Sequence, residues 1–389
     1  MAPNPPRTRR RRLVGALLPL AVAAAACSGS PTAAPAPSAS TAPPAASSPS
    51  SPPAAAGTPA PGAAAPGEPV VVASGLEVPW GLAFLPDRSA LVSERDSARV
   101  LQVPAQGGDP VEVARLQEAA PAGEGGLLGL AVSPTYASDR LVYAYVTTDE
   151  DNRIVRFRLP DQPGPAQTEP VLAGIPKGTI HNGGRIAFGP DGSLYAGTGD
   201  TGDTSLATDP DSLGGKVLRM TADGGPVEGA DSLVFTSGHR NVQGLAFDEA
   251  DLLWATEFGQ NTFDEVNQLS EGDDGGWPDV EGPGDGGGRY LAPQVTWETS
   301  EASPSGIAVA DGSLWVAALR GQRLWQVPLD GSGGTTEPVS RYEGDYGRLR
   351  TVVAAPDGSL WMTTSNRDGR GDPADADDRV LRLTPDGTA

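Results

Sequence analysis

From about residue 68 onward the chain is built from short apolar or alternating runs, broken by Pro, Asp and Gly, and no stretch sustains the 3.6-residue period of an amphipathic helix. One unit recurs six times: an apolar strand, a Pro-Asp-Gly-like turn and a second apolar strand. The copies begin at Leu82 (LAFLPDRSALVSE), Leu130, Ile186 (IAFGPDGSLYAGTG), Leu245, Ile307 and Val352 (VVAAPDGSLWMTT). Asp-Gly between apolar runs is a strong hairpin signal, because glycine supplies the positive φ that the turn needs. A third, alternating strand follows in several copies, as in Arg99–Val103, Arg153–Phe157, Lys216–Met220, Arg323–Val327 and Arg379–Leu383. It has the pattern of a strand farther from a ring axis. The starts lie 45 to 62 residues apart, which suits four-stranded blades with variable loops. The pattern therefore predicts an all-β, six-bladed β-propeller. A parallel β-helix would need shorter repeats, and an open sandwich would not need six copies.

Ahead of the repeats the composition changes. Residues 1–27 hold a basic stretch, Arg7 to Arg12, an apolar run, Leu13 to Ala26, and Cys27 before Ser-Gly-Ser. The run has the length of an export signal rather than of a spanning helix. Its end resembles a lipoprotein cleavage site, so the reading is export, with lipid anchoring at Cys27 or else secretion. Residues 28–67 are almost all Pro, Ala and Ser, too poor in apolar surface to fold, and read as a semi-rigid tether. Residues 68–389 form the propeller domain.

Charge and scarce residue types narrow the chemistry. A net charge of -21 argues against nucleic acid as a partner and leaves the lipid anchor as the route to a membrane. A single cysteine allows no intramolecular disulfide. In a propeller, the segments leading into the innermost strands converge on one mouth of the central channel. Here they contain Trp80; Glu124 among glycines; His181-Asn182-Gly183-Gly184-Arg185; His239-Arg240-Asn241; and Arg348-Leu349-Arg350. Clustered arginines in so acidic a chain suggest recognition of an anion with several carboxylates. His181 is the candidate acid/base group, with Asp200 at the far end of its own hairpin. His239 is read as a structural histidine, Trp254, Trp315 and Trp361 as inter-blade core, and Asp372 to Asp378 as a solvated acidic loop.

The motifs GEGGLLGLA, HNGGRIAFGPDGSLYAGTGD, GHRNVQGLAFD, WATEFGQNTFDEVNQ with GWP, ALRGQRLW and GRLR together resemble the soluble pyrroloquinoline-quinone (PQQ)-dependent aldose sugar dehydrogenases of the glucose/sorbosone dehydrogenase family, over roughly residues 69 to 389. The resemblance implies oxidation of aldose sugars to lactones and transfer of the electrons to an external acceptor. It implies His181 as the base for the anomeric hydroxyl and Asp200 as its orienting carboxylate. Arg240 and Asn241 would contact the quinone, Arg240 also stabilising charge developing on a quinone oxygen. Arg320, Arg348 and Arg350 would be further cofactor ligands, and Glu124 and Trp80 substrate contacts. Calcium is implied at the carbonyls of Gly259 and Gln260, with a second, structural calcium at Asp264 and Glu265. The chain departs from the family pattern at Phe258-Gly259-Gln260, where His-Gly-Pro or Gln-Gly-Pro is usual, and at Gly275. Two rival readings share the architecture: a lactone hydrolase with an axial metal, and a non-catalytic carbohydrate- or surface-binding propeller.

Overall fold

The structure, a computed structural model, describes residues 66–385, so the export signal, Cys27 and nearly all of the tether lie outside the described residues. The described chain folds into six four-stranded antiparallel sheets. Each sheet opens with the sequence repeat: the strands Ile186–Phe188 and Leu194–Gly197, for example, pair through Ala187 and Tyr195. The Pro-Asp-x-Ser turns cap themselves. Asp191 Oδ1 accepts the Ser193 amide at 2.9 Å, and Asp87 and Asp357 each accept the amide of the serine two residues on at 3.0 Å.

The fourth, outer strands, such as Val111–Arg115, Val295–Glu298 and Val339–Arg341, were not signalled by the apolar pattern. An outermost strand has one neighbour and one covered face, so little selects its residue pattern. The sixth sheet takes its outer strand from the other end of the chain: Val70–Ser74 pairs antiparallel with Arg379–Leu383 and closes the ring. The joint is pinned by the buried Asp378, whose carboxylate accepts the amides of Val78 at 3.2 Å and Asn366 at 2.6 Å. Asp377 and Asp378 are 2% and 0% exposed, so the end of the Asp372 to Asp378 loop is a buried latch rather than a solvated run.

The core divides into six seams between neighbouring blades. Trp361 packs with Leu82 and Val92 across the closing seam, Trp315 with Val352 and Met362 across the preceding one, and Trp254 with Ile307 and Val316 across the one before. These three tryptophans are at most 2% exposed and stand at one repeat position. A buried tryptophan of this kind typically contributes about 3–5 kcal/mol relative to alanine. Because the closing seam depends on the strand Val70–Ser74, a chain lacking residues 66–74 is expected to unfold well below the temperature of the chain that keeps them. Thermal unfolding followed by circular dichroism would measure this; equal midpoints would show that closure does not stabilise the ring.

Candidate active site

In every blade two kinds of loop reach the same end of the ring: the segment leading into the first strand, and the loop from the second strand to the third. His181 belongs to the first kind and Asp200 to the second, in one blade. The His181 backbone is left-handed, with φ +53°, and its carbonyl packs so closely on Gly199 that a Cβ there would stand 1.9 Å away. Only glycine fits. The turn is held from the preceding blade, where Tyr145 donates to the Asn182 carbonyl at 2.9 Å and Asn152 Nδ2 donates to Asn182 Oδ1 at 2.9 Å. Thus placed, His181 Nδ1 lies 2.7 Å from Asp200 Oδ1. Asp200 also accepts the Gly202 amide at 2.8 Å and the Trp277 indole N–H at 3.0 Å. Burial works to raise the pKa of this carboxyl, but the bonds from His181, Gly202 and Trp277 hold it below its ordinary value. An anionic Asp200 assigns the proton of the neutral imidazole to Nδ1 and leaves Nε2 as the acceptor.

Glu124 anchors the same turn, its Oε2 accepting the His181 amide and its Oε1 the Arg370 guanidinium, each at 2.9 Å. Burial pushes Glu124 up, and these two donors bring it below the usual carboxylate range. Glu124, Arg370, Arg95, Phe258, Leu319, Gln243 and Arg350 line a cavity of about 120 Å³ at the mouth.

Arg240 donates Nη1 to the Phe258 carbonyl at 3.1 Å, and its amide donates to Glu257. Its Nε, the Nδ2 of Asn241 and the Nε of Arg350 are buried with no hydrogen-bond partner. These three buried donors lie on residues of the mouth and are suited to an acceptor-rich ligand. Arg348 differs, because Nε and Nη2 both reach Asp368 Oδ2, at 3.0 and 2.9 Å, whereas Arg350 stands 3.7 Å from that oxygen. Asp368, pushed up by burial, is held low by Arg350 and Arg348. Arg320 is exposed at the mouth end, touching Thr299 Oγ1 at 3.4 Å. His239 is fully buried between Thr236 Oγ1 and Glu257 Oε2, both 2.8 Å away.

Trp80 lines the same mouth cavity but is 1% exposed, with the Arg350 guanidinium 5.8 Å and that of Arg185 4.5 Å from its ring centroid. One expectation changes. Asp264 and Glu265 do not converge on one ion, because adjacent residues of the strand Phe263–Leu269 point to opposite faces. Asp264 instead accepts the amides of Gly259 at 2.9 Å and Ser303 at 2.6 Å, while Glu265 accepts Gly282 at 2.7 Å and Asn267 Nδ2 at 3.0 Å. Among the described residues no group of three or more His, Cys, Asp or Glu is arranged to hold a metal. The carbonyls of Gly259 and Gln260 accept no hydrogen bond from the described residues. Their turn is drawn in around Glu281, whose Oε1 accepts the amides of Gln260, Asn261 and Thr262 at 2.8 to 2.9 Å.

Trp277, Asp368, Arg370 and Arg185 were not assigned from sequence. The first three lie outside the lead-in segments, although GWP and the position of Asp368 beyond the last second strand were available signals.

A six-bladed propeller with a histidine–carboxylate pair beside arginines whose buried Nε atoms have no partner defines a class of small-molecule enzyme built on an anionic cofactor. The family model described as Glucose / Sorbosone dehydrogenase matches residues 76–376, and the chain belongs to that family. It is similar in structure to the PQQ-bound aldose sugar dehydrogenase of Streptomyces coelicolor, with 54% identity, a TM-score of 0.77, and coverage of 81% of this chain and 96% of that one. It is 30% identical to quinoprotein glucose dehydrogenase B of Acinetobacter calcoaceticus over 62% of this chain, and spans 59% of that relative's length. An aldose sugar dehydrogenase of Escherichia coli (strain K12) is 27% identical over 77% of this chain and 90% of its own.

The lowered carboxylates set an acid limit. Asp200, Glu124 and Asp368 have folded pKa values below their unfolded ones, so their stabilisation is complete above the ordinary carboxylate range and is lost as pH falls through the lowered values. Asp368→Asn is expected to cost about 3–5 kcal/mol at pH 7, because two buried guanidinium groups lose their counter-charge, and to lose less than the wild type on acidification. Urea unfolding at neutral and acid pH measures both.

Proposed function

We propose that the protein oxidises the anomeric CH–OH of an aldose to a lactone with PQQ and calcium and passes the electrons to an external acceptor. The observation that carries this reading is the set of orphaned buried nitrogens, Arg240 Nε, Asn241 Nδ2 and Arg350 Nε, beside the His181–Asp200 pair. When bound, PQQ supplies the two-electron acceptor that no side chain here provides. Arg350, Asn241 and Arg240 would hold its oxygens, and the free carbonyls of Gly259 and Gln260 would supply hard ligands for calcium. His181 Nε2 takes the proton of the anomeric hydroxyl. Asp200 keeps that nitrogen free as acceptor and stabilises the imidazolium that results. Glu124 fixes the backbone of the base, and its own geometry is set by Arg370.

A lactone hydrolase on this architecture would need carboxylate and amide ligands around an axial metal. The charge along this axis is the guanidinium of Arg185, which favours the dehydrogenase reading. Export and lipid anchoring at Cys27 belong to the same proposal, on the sequence of residues 1–27. Sugar choice would rest with the loops 202–213 and 281–290.

Apoprotein is expected to gain dye-reducing activity with an aldose only when PQQ and calcium are both added. His181→Ala and Asp200→Asn are expected to lower kcat by about 10²–10⁴ with PQQ affinity retained. A spectrum and thermal midpoint that PQQ and calcium leave unchanged would overturn the reading.

A further inference from the structure

Beneath the mouth, the six innermost strands enclose a second chamber of about 490 Å³, lined by one stretch from each blade and including Leu82, Leu130, Ile186, Leu245, Ile307 and Val352. These stretches run toward the Pro-Asp-Gly hairpins, so the chamber lies at the end of the ring opposite His181 and Glu124. All of its lining side chains are apolar except one, Arg185. That residue is 8% exposed. Its Nε donates to the Gln243 carbonyl at 2.9 Å, its Nη2 donates to Thr351 Oγ1 at 2.9 Å, and the Trp80 ring covers one face at 4.5 Å.

Three features mark this guanidinium as incomplete. Its Nη1 makes no hydrogen bond to any described residue, and no described carboxylate lies within ion-pair distance of it. The nearest charge to act on it is another cation, Arg350, on the mouth side of Trp80. Burial first, and then repulsion from Arg350, push Arg185 down to about 9, which still leaves it charged at neutral pH. A buried cation with apolar walls and no counter-charge is costly, and native structures normally pair such groups.

We propose that Arg185 heads an axial anion site, in which a small monovalent anion, a halide or the carboxylate of a short acid, enters from the hairpin end and takes the N–H groups of Nη1. Gln243, Trp80 and Arg350 line the mouth cavity while Arg185 lines the chamber, so the two sites are separated by Trp80 and Gln243. The anion supplies the counter-charge that the protein omits. This site does not depend on the proposed reaction, and its test needs neither PQQ nor sugar.

Crystals of the wild-type protein soaked in sodium bromide are expected to show an anomalous peak at Arg185 Nη1 inside the chamber. In solution, sodium bromide and sodium formate, each compared with sodium sulfate at equal ionic strength, are expected to raise the thermal midpoint by about 2–4 °C with saturation. Arg185→Gln and Arg185→Met should lose that saturable rise. A response to bromide alone identifies the occupant as an inorganic ion, and one to formate as well or instead identifies a carboxylate; both support the site. A chamber without an anomalous peak, together with equal anion responses in wild type and variants, overturns it.

Discussion

Each blade of this protein has two faces to cover and covers them with its neighbours, so the ring has six seams and no central core of its own. A seam is satisfied only if both flanking blades are in place, which makes stability a property of the closed circle rather than of any repeat. The last seam is the critical one. It is completed by the strand Val70–Ser74 against Arg379–Leu383 and tied by Asp378, which reaches across to Val78. With the circle closed, twelve loops are held at one end, and side chains far apart in sequence acquire fixed distances.

Three blades apply one local rule at the mouth. Each presents a basic or imidazole group from the segment before its first strand and the partner of that group from the loop after its second. His181 meets Asp200 in this way, Arg348 meets Asp368, and Arg240 meets the carbonyl of Phe258. Antiparallel pairing brings those two loops to the same edge of the sheet, so each pair is pre-positioned by one hairpin. The partners are unequal in strength: a full carboxylate for Arg348, a 3.7 Å contact for Arg350, a backbone oxygen for Arg240. That gradient leaves the cation charge least neutralised where the unpartnered nitrogens lie. An overall charge of -21 does not prevent a cluster of arginines at the mouth, where Glu124 and Asp368 pair with Arg370 and Arg348.

The hairpin units were legible because their signal is local: an Asp-Gly turn between apolar runs needs no tertiary information. So was the meeting of His181 with Asp200, since a hairpin returns its two ends to one side. The outer strands were not legible, because edge positions accept exposed residues such as Val111 and Val339. Asp368 and Arg370 sit in the loop from a second strand to a third, and Trp277 in the long connection between Phe263–Leu269 and Val295–Glu298, so none of them falls in a segment leading into an innermost strand. Asp264 and Glu265 were misread by treating neighbours in sequence as neighbours in space, which a strand forbids. Trp80 is covered by Leu128 and Ile186 and flanked by Arg185 and Arg350, contacts between blades that no spacing reveals.

The bond between Val78 and Asp378 joins residues 300 positions apart. Until the final strand exists, the blade that begins the chain has no partner for its outer seam, and Leu82, Val92 and Trp361 cannot be covered together. The ring therefore cannot close until the strand Arg379–Leu383 has been made. Contacts of such high sequence separation are slow to make, because the entropy of closing the loop is lost before any contact rewards it. The growing polypeptide passes its whole period of assembly as an open arc with two sticky ends, and its exposure to self-association is set by how quickly that arc becomes a circle.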